Sequence, residues 1–417
     1  MVQEKLVSSE KTKNDNNVYH EEKFNSPLLK FNNSEEWKSN IKIGDLTEKV
    51  IAGATPRTSN NEYWENGTIP WLSSGEIHKK HIEYTDKFIT KLGYDNSSTK
   101  MIPKHSVLIA LAGQGKTRGT VAINNIELCT NQSVASIIPN DTKLYYKYLF
   151  YYLENQYDKL RALSSSDGGR GGLNLKLIKS FKINLPSIDE QKKIANFISK
   201  IDEKIELLEK KYNEKLIFKE EFFNKYISSL SKETQKIKLN NLIKILNDRN
   251  KNNDDLEVLS ISNKLGFISQ EKQFEDRIVA SSDTKNYKIV KKGYFAYNPA
   301  RINVGSIARL KNYDEGIISP MYIVFKINED LINPIFFENY LSTNYFKLEI
   351  LKRLEGSVRL ILSAESLKNI EIFIPPLDEQ DKISLFMITL TKSLELSKIE
   401  LDNFKEFKKG LLQKMFV

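Results

Sequence analysis

Pro186-Ser-Ile-Asp-Glu-Gln191 opens a long helical pattern, and Pro375-Pro-Leu-Asp-Glu-Gln380 opens another 189 residues later. The same offset relates Leu173 to Leu362, Ile183 to Ile372, Ile194 to Ile383, Phe197 to Phe386, Ile205 to Leu394 and Lys225 to Lys414, without a gap. A chain built twice in this way predicts pseudo-two-fold symmetry, suited to gripping two related partners or two halves of one target.

Ser187 with Glu190 fits a capping box, which satisfies the free amides at a helix start. The apolar positions that follow are Ile194, Ile198, Ile201, Ile205, Leu208 and Tyr212, in the alternating steps of four and three that define a coiled-coil seam. No Pro or Gly interrupts the run from Ile188 to about Leu230. At 1.5 Å per residue, about forty residues give a rod of roughly 60 Å. The closing helix runs from Leu377 to about Phe416, with a seam of Ile383, Met387, Leu390, Leu394, Ser397, Leu401 and Phe404. Ser397 breaks the apolar rule and Gly410 sits near the end, so this helix reads as the weaker one. Apolar stripes of this size do not stay in water. Either the two helices pair within the chain or two copies of the chain pair. The duplication favours the first, with the helices antiparallel and a globular domain at each end of the rod.

The remaining chain divides accordingly. Residues 1–36 are polar and aperiodic and read as a flexible lead-in. Residues 37–185 and 233–374 form two globular domains, and 186–232 and 375–417 carry the long helices. The first domain mixes β-type runs (Ser106–Leu111, Val134–Ile138) with an aromatic helical run from Leu144 to Leu163. The second has β-type runs at Tyr294–Tyr297 and Tyr322–Phe325 and a helix from Pro334 to Lys352, and its entry Ile237-Lys-Leu-Asn-Asn-Leu242 echoes Ile41-Lys-Ile-Gly-Asp-Leu46. The fold class is α+β: two pseudo-two-fold related globular domains joined by two long antiparallel coiled-coil helices.

Hydrophobic residues make up 40% of the 417 and charged residues 28%, as in soluble globular proteins. No stretch is apolar for long enough to span a bilayer, and Lys11, Lys13 and Asn14 to Asn16 interrupt the N-terminus, so neither membrane span nor signal peptide is expected. The single cysteine, Cys129, fits a reducing cytoplasm, and one cysteine with four histidines argues against structural zinc. The net charge of +9 is the electrostatic footprint of a nucleic-acid binder, although a chain rich in Lys, Asn and Ile also reflects an AT-rich genome.

Further pieces recur in a telling order. Ser26-Pro-Leu-Leu-Lys-Phe31 and Trp37 precede Gly44-Asp-Leu46; Ala54-Thr-Pro-Arg57 precedes Ile69-Pro-Trp71; and Leu173-Asn174, Ile183, Leu185-Pro186, Glu190-Gln191 and Lys193-Ile194 lead into the first long helix. With the duplicated domain-plus-helix plan, this resembles the specificity subunit of type I restriction–modification systems over nearly the whole chain. The resemblance implies that each globular domain is a target recognition domain reading one half of a split double-stranded DNA sequence. The helices would set the unread spacer and dock two copies of a methyltransferase subunit. That partner would bind S-adenosylmethionine and methylate adenine, and a separate restriction subunit would supply the ATP- and Mg-dependent motor and nuclease. This chain would then carry no cofactor and no catalysis. A coiled-coil scaffold that ignores DNA sequence is the alternative; it accounts for the seams but not for two large domains with basic loops.

Candidate DNA-binding residues lie in those loops. Gly113-Gln-Gly-Lys-Thr-Arg-Gly119 is not a P-loop, because Ala110 stands where Walker A needs glycine. Its glycines suit close backbone approach to phosphates, Lys116 and Arg118 neutralise them, and Gln114 or Arg118 can reach base edges, with Thr117 a further DNA-binding candidate of the same loop; a plain solvent-exposed turn is the competing reading. Asn298-Pro-Ala-Arg-Ile-Asn-Val-Gly305 holds the comparable place in the second half, with Arg301 a candidate for guanine and Asn303 for adenine, or with Arg301 paired to a local carboxylate. Arg170 and Arg359 share the 189-residue register in flexible loops and read as phosphate contacts or as linker residues. Arg57, in a Thr-Pro-Arg turn, touches the DNA backbone or caps a strand. Tyr63, Trp64 and Trp71 read as packing residues, His78 and His81 as surface residues, and Asp189-Glu190 and Asp378-Glu379 as helix-start acids favoured by the dipole rather than acid–base catalysts. Asn298-Pro-Ala-Arg301 only begins like an adenine-methyltransferase motif, since Ala300 and Arg301 stand where a proline and an aromatic are needed.

Overall fold

Gln191 and Gln380, the last residues of the repeated motif, are fully buried, and each locks a long helix to the domain that precedes it. Gln191 Nε2 donates to the carbonyls of Lys143 and Pro186 at 3.1 and 3.0 Å, and its Oε1 accepts from Tyr145 N–H at 2.8 Å. Gln380 repeats the set with Leu331, Pro375 and Asn333 at 3.2, 2.9 and 2.9 Å. A buried amide with all these partners satisfied is costly to replace, which gives the motif a structural reason. These contacts come from a computed structural model that describes residues 27–31, 36–113, 115–163, 172–263, 265–270, 283–356 and 360–416. The chain falls into two compact units, one of residues 1–206 with 402–417 and the other of residues 207–401.

In the first unit, β1 (Lys38–Lys42) pairs antiparallel with β10 (Lys182–Leu185), the strand that runs into the first long helix. The main sheet has the order β2-β9-β6-β7-β4, from Thr47–Ala52, Val134–Pro139, Val107–Ala110, Val121–Asn124 and His81–Ile82. A smaller sheet, β5-β3-β8, comprises Lys87–Ile89, Ile69–Leu72 and Cys129–Thr130, with β3 and β8 parallel. The aromatic run forms α2 (Tyr146–Asn155) and α3 (Tyr157–Leu163), interrupted at Gln156, where one continuous run was expected. Tyr148, Phe150 and Tyr151 are almost wholly buried, as a helix face packed on its sheet requires. Burial pushes the Cys129 thiol up to about 11, so it behaves as a core residue.

The second unit repeats the plan. Strand β11 (Lys236–Lys238) pairs with β20 (Glu371–Phe373). The order β12-β19-β16-β17, from Ile243–Leu246, Ile323–Ile327, Phe295–Tyr297 and Ile307–Arg309, matches β2-β9-β6-β7. A second sheet, β14-β13-β18-β15, comprises Gly266–Ser269, Val258–Ser262, Glu315–Ile318 and Lys288–Lys291 and again contains a parallel pair, β13 with β18. Helices α6 (Pro334–Tyr340) and α7 (Asn344–Leu351) correspond to α2 and α3, with Thr343 Oγ1 capping α7 at 3.2 Å from Phe346 N.

The long helices are α5 (Ile188–Glu233) and α9 (Leu377–Met415). They pair antiparallel in both units. In the first, Asp202 meets Lys408 and Lys204 lies over the Phe404 ring. In the second, Tyr212 meets Lys398, Phe222 packs on Phe386 at 4.7 Å, and Tyr226 OH donates to Glu379 at 2.6 Å. Seam residues Ile194, Ile198, Ile201, Ile205 and Leu208 are buried. Ser397, the break in the second seam, has a partner: with Ser393 it receives Lys215 Nζ, at 2.8 and 3.0 Å. Part of the expected flexible lead-in is fastened. Leu29 N–H donates to Lys414 O at 3.1 Å, Phe31 N–H donates to the buried Glu190 carboxylate at 2.6 Å, and the Phe31 ring stands edge-on to Phe197. Ser187 Oγ accepts Glu190 N–H at 3.3 Å, the contact a capping box expects at this helix start.

Lys408 closes the first unit electrostatically. Its ammonium lies 2.7 Å from Asp202 and 3.1 Å from Glu154, Tyr151 OH donates to Asp202 at 2.9 Å, and Lys80 also pairs with Glu154. Side-chain exposures of 12%, 19% and 23% for Lys408, Glu154 and Asp202 make this a largely desolvated cluster. Removing one partner leaves uncompensated charge, so Lys408→Met is expected to destabilise this unit by on the order of 3 kcal/mol. Burial alone would raise the Glu154 pKa, but Lys408 and Lys80 hold it below the usual carboxylate value. A depressed folded pKa gives stability that is present above the unfolded pKa and lost as pH falls through the folded one. Thermal melts from neutral pH down to about pH 3 should therefore show an acid-side loss in the wild type that is flattened in Lys408→Met.

Candidate nucleic-acid interface

Strands β2 and β6 both flank β9 and run antiparallel to it, so they point the same way. Ala52 at the end of β2 faces Ala135, and Ala110 at the end of β6 faces Val134. The turn after β2 and the Gly-rich loop after β6 thus leave the same end of the sheet, on either side of the 131–133 turn. At Gly53 an added Cβ would fall 1.9 Å from Thr130 O, so only glycine allows this approach. The 54–57 turn is then braced by two indoles: Trp71 Nε1 donates to Ala54 O at 3.1 Å and Trp64 Nε1 to Arg57 O at 3.3 Å, with the rings edge-to-face at 5.0 Å. The expected packing role of the tryptophans includes this brace. Arg57 itself is exposed, with Nε donating to Ser59 Oγ at 3.1 Å.

The Gly-rich loop is held from α3. Arg161 Nη1 donates to Gly115 O at 2.6 Å and Tyr157 OH to Lys116 O at 2.8 Å. Gly113 has φ of +144°, and a Cβ there would meet Thr117 Cβ at 2.8 Å. Thr117 O accepts Thr120 N–H at 3.0 Å, closing the loop. Lys116 projects into solvent, while Thr117 and Arg118 are half-buried. Gln114 lies outside the described residues, as do Arg170 and Arg359. The described chain after Arg170 rejoins the fold beside this loop, where Leu173 N–H donates to Leu111 O at 3.2 Å.

In the second unit, Leu246 faces Val324 and Tyr297 faces Ile323, so the turns after β12 and β16 again leave one end of the sheet together. Leu362 N–H donates to Pro299 O at 3.0 Å, the counterpart of the Leu173 contact, and Tyr297 OH reaches Leu362 O at 3.1 Å. Asn298 is buried: its Oδ1 accepts Ala300 N–H at 3.0 Å, and its amide nitrogen is 3.8 Å from Met321 sulfur. Ser306 N–H donates to Arg301 O at 3.1 Å, and Ile302 plugs the loop into the core. On this base Arg301 and Asn303 are exposed. Sequence reading missed Arg249, which occupies the second unit's counterpart of the Arg57 turn and donates to Asn286 at 3.0 Å. Next to it, Lys288 donates to Tyr322 O at 2.7 Å, and burial together with the Arg249 charge lowers its pKa. The echo between Ile41–Leu46 and Ile237–Leu242 was the available signal, because it aligns the strands that these two turns follow. Among the described residues no group of His, Cys, Asp and Glu could hold a metal ion, and no helix is long and apolar enough to cross a membrane.

Two copies of one plan, each presenting basic turns at one end of a sheet, define a class of DNA-reading protein. The sequence profile of the type I restriction modification DNA specificity domain matches residues 34–216 and again 228–403. The chain belongs to this family, whose members are the non-catalytic DNA-specificity subunits of type I restriction–modification systems. It is 31% identical over 182 residues to the EcoR124I/EcoR124II specificity subunit of Escherichia coli, covering 43% of this chain and 44% of that one. It is 27% identical over 408 residues to the MjaIX specificity subunit of Methanocaldococcus jannaschii, covering 90% and 91%. Its fold resembles the type I S subunit from M. genitalium, with TM-score 0.58, 17% identity, and coverage of 94% and 99%. It also resembles the HsdS subunit from Thermoanaerobacter tengcongensis, with TM-score 0.50, 14% identity, and coverage of 91% and 96%. The scaffold alternative finds no support in this membership.

Proposed function

We propose that residues 37–185 and 233–374 each read one half of a bipartite duplex target, and that 186–232 and 375–417 set the spacer and dock two methyltransferase subunits, with residues 1–36 as the lead-in. The observation that carries this reading is the placement of basic loops of unlike sequence at equivalent ends of two like sheets. Two different half-sites need such a pair of readers. Arg57, Lys116, Arg170 and Arg359 contact phosphates; Gln114, Thr117, Arg118, Arg301 and Asn303 face base edges. Asn298 holds the turn that presents Arg301 rather than touching DNA itself. S-adenosylmethionine belongs to the methyltransferase partner, ATP and Mg to a restriction subunit, and the complex works in the cytoplasm.

Selection from a randomised duplex library at physiological salt, with the methyltransferase partner present, tests this. One split sequence of fixed spacing should emerge; equal retention of all sequences refutes the reading. Lys116→Ala should weaken binding about equally for every sequence and reduce the slope of log K against log salt by about one.

A further inference from the structure

Lys219 is the 189-residue counterpart of Lys408, at the same position of the helix seam, yet its surroundings are inverted. Lys408 sits among Glu154, Asp202 and the Tyr151 hydroxyl. On α9 the counterpart of Asp202 is Thr391. The two Gln locks relate Lys143 to Leu331 and Tyr145 to Asn333, an offset of 188, which carries Tyr151 to Asn339 and Glu154 to Ser342. Thus every partner that neutralises Lys408 is replaced by an uncharged residue around Lys219. Thr391, Asn339 and Ser342 line, with Lys219, an open groove of about 1040 Å³. Lys219 is half-buried and makes no hydrogen bond or ion pair among the described residues. Desolvation lowers its pKa, with Glu338, Glu395 and Glu220 acting on it only at longer range. Glu338 is already taken by Arg309 and Lys311, at 3.0 and 2.7 Å.

We propose that this groove is a socket for a carboxylate side chain on an amphipathic helix of one docked methyltransferase subunit, with Lys219 as the receiving ammonium, and that the first unit lacks such a socket because Glu154 and Asp202 already fill it. The inference rests on the proposed docking of two methyltransferase copies and makes the two docking surfaces unequal. A protein helix fits better than a DNA backbone for two reasons. Arg309 pairs with Phe295, at the end of the β16–β17 hairpin away from the Arg301 loop, so the groove lies on the side opposite the proposed DNA contacts. Its walls also carry exposed apolar surface, from Leu216 (39% exposed) and Ile388 (44% exposed), which an apolar helix face covers and a phosphate does not.

The test titrates the full chain with its cognate methyltransferase subunit and reads stoichiometry by native mass spectrometry. The wild type should take two copies. Lys219→Glu should weaken one of the two on the order of 100-fold and leave the other unchanged. Thr391→Asp recreates the internal partner that Asp202 provides in the first unit; it should weaken the same copy while raising the melting temperature, so the loss cannot be ascribed to misfolding. Two copies bound at wild-type affinity by both variants overturn the socket alone. A wild-type chain that binds no methyltransferase overturns the docking reading as well. If Lys219→Glu lowers duplex affinity of the isolated chain but spares methyltransferase binding, the groove takes phosphate and the proposal fails.

Discussion

Removing one heptad from each long helix, residues 204–210 and 398–404, is expected to move the preferred spacing of the half-sites by about three base pairs. Seven residues at 1.5 Å each shorten a helix by about 10 Å, and a base pair rises about 3.4 Å. A seven-residue deletion preserves the phase of a seam with 3.5 residues per turn. These segments lie opposite one another in the antiparallel pair, and they spare both flanking polar locks, Asp202 with Lys408 and Lys215 with Ser393 and Ser397. The folded helices should therefore survive while the yardstick shortens. Three base pairs also turn the second half-site by roughly 100° about the duplex, given about 10.5 base pairs per turn. The variant then binds less tightly than the wild type even at its best spacing, so the informative readout is which spacing wins. At the original spacing it loses one half-site's specific contacts, a fall of at least about 30-fold given whole-site specific-over-nonspecific ratios of about 10³ or more, shared between two half-sites. Selection on duplexes with one fixed pair of half-sites and variable spacers measures this, and retention of the original spacing would falsify the ruler.

How much of this could be read from the residues follows the range of each interaction. The helices were legible because their signals are local: the motif at Ser187 to Gln191 starts α5, and the seam from Ile194 to Tyr212 continues it. Beyond Tyr212 the seam positions are Lys215 and Lys219, and periodicity cannot reveal that one is paired with Ser393 and Ser397 while the other faces a groove. Strand order was not legible. The parallel pairing of Trp71 with Cys129 joins residues far apart in sequence, and the glycine at 53 is required by Thr130, which no local pattern discloses. Asn298 counted among the DNA-contacting candidates because it begins that loop, but the turn it closes draws it inside. Arg249 escaped notice because its turn carries no Gly-rich signature to mark it.

Arg301→Ala is expected to relax base preference at one position of one half-site by about 10- to 100-fold and to leave the other half-site unchanged. A bidentate arginine–guanine contact discriminates by about 1–3 kcal/mol. Stability should hardly move, because Arg301 is exposed and its loop is fastened by other groups: the Asn298 carboxamide to Ala300, the Arg301 carbonyl to Ser306, and Ile302 in the core. Arg301→Lys separates charge from geometry. It keeps a cation near the phosphates but loses the planar fork that matches guanine O6 and N7, so salt dependence should stay near that of the wild type while preference relaxes as in the alanine variant. Binding measured against all four base pairs at each position of the target, at two salt concentrations, distinguishes the outcomes. A uniform loss across sequences, with a shallower salt slope, assigns Arg301 to the backbone and leaves Asn303 as the base-reading candidate of that loop.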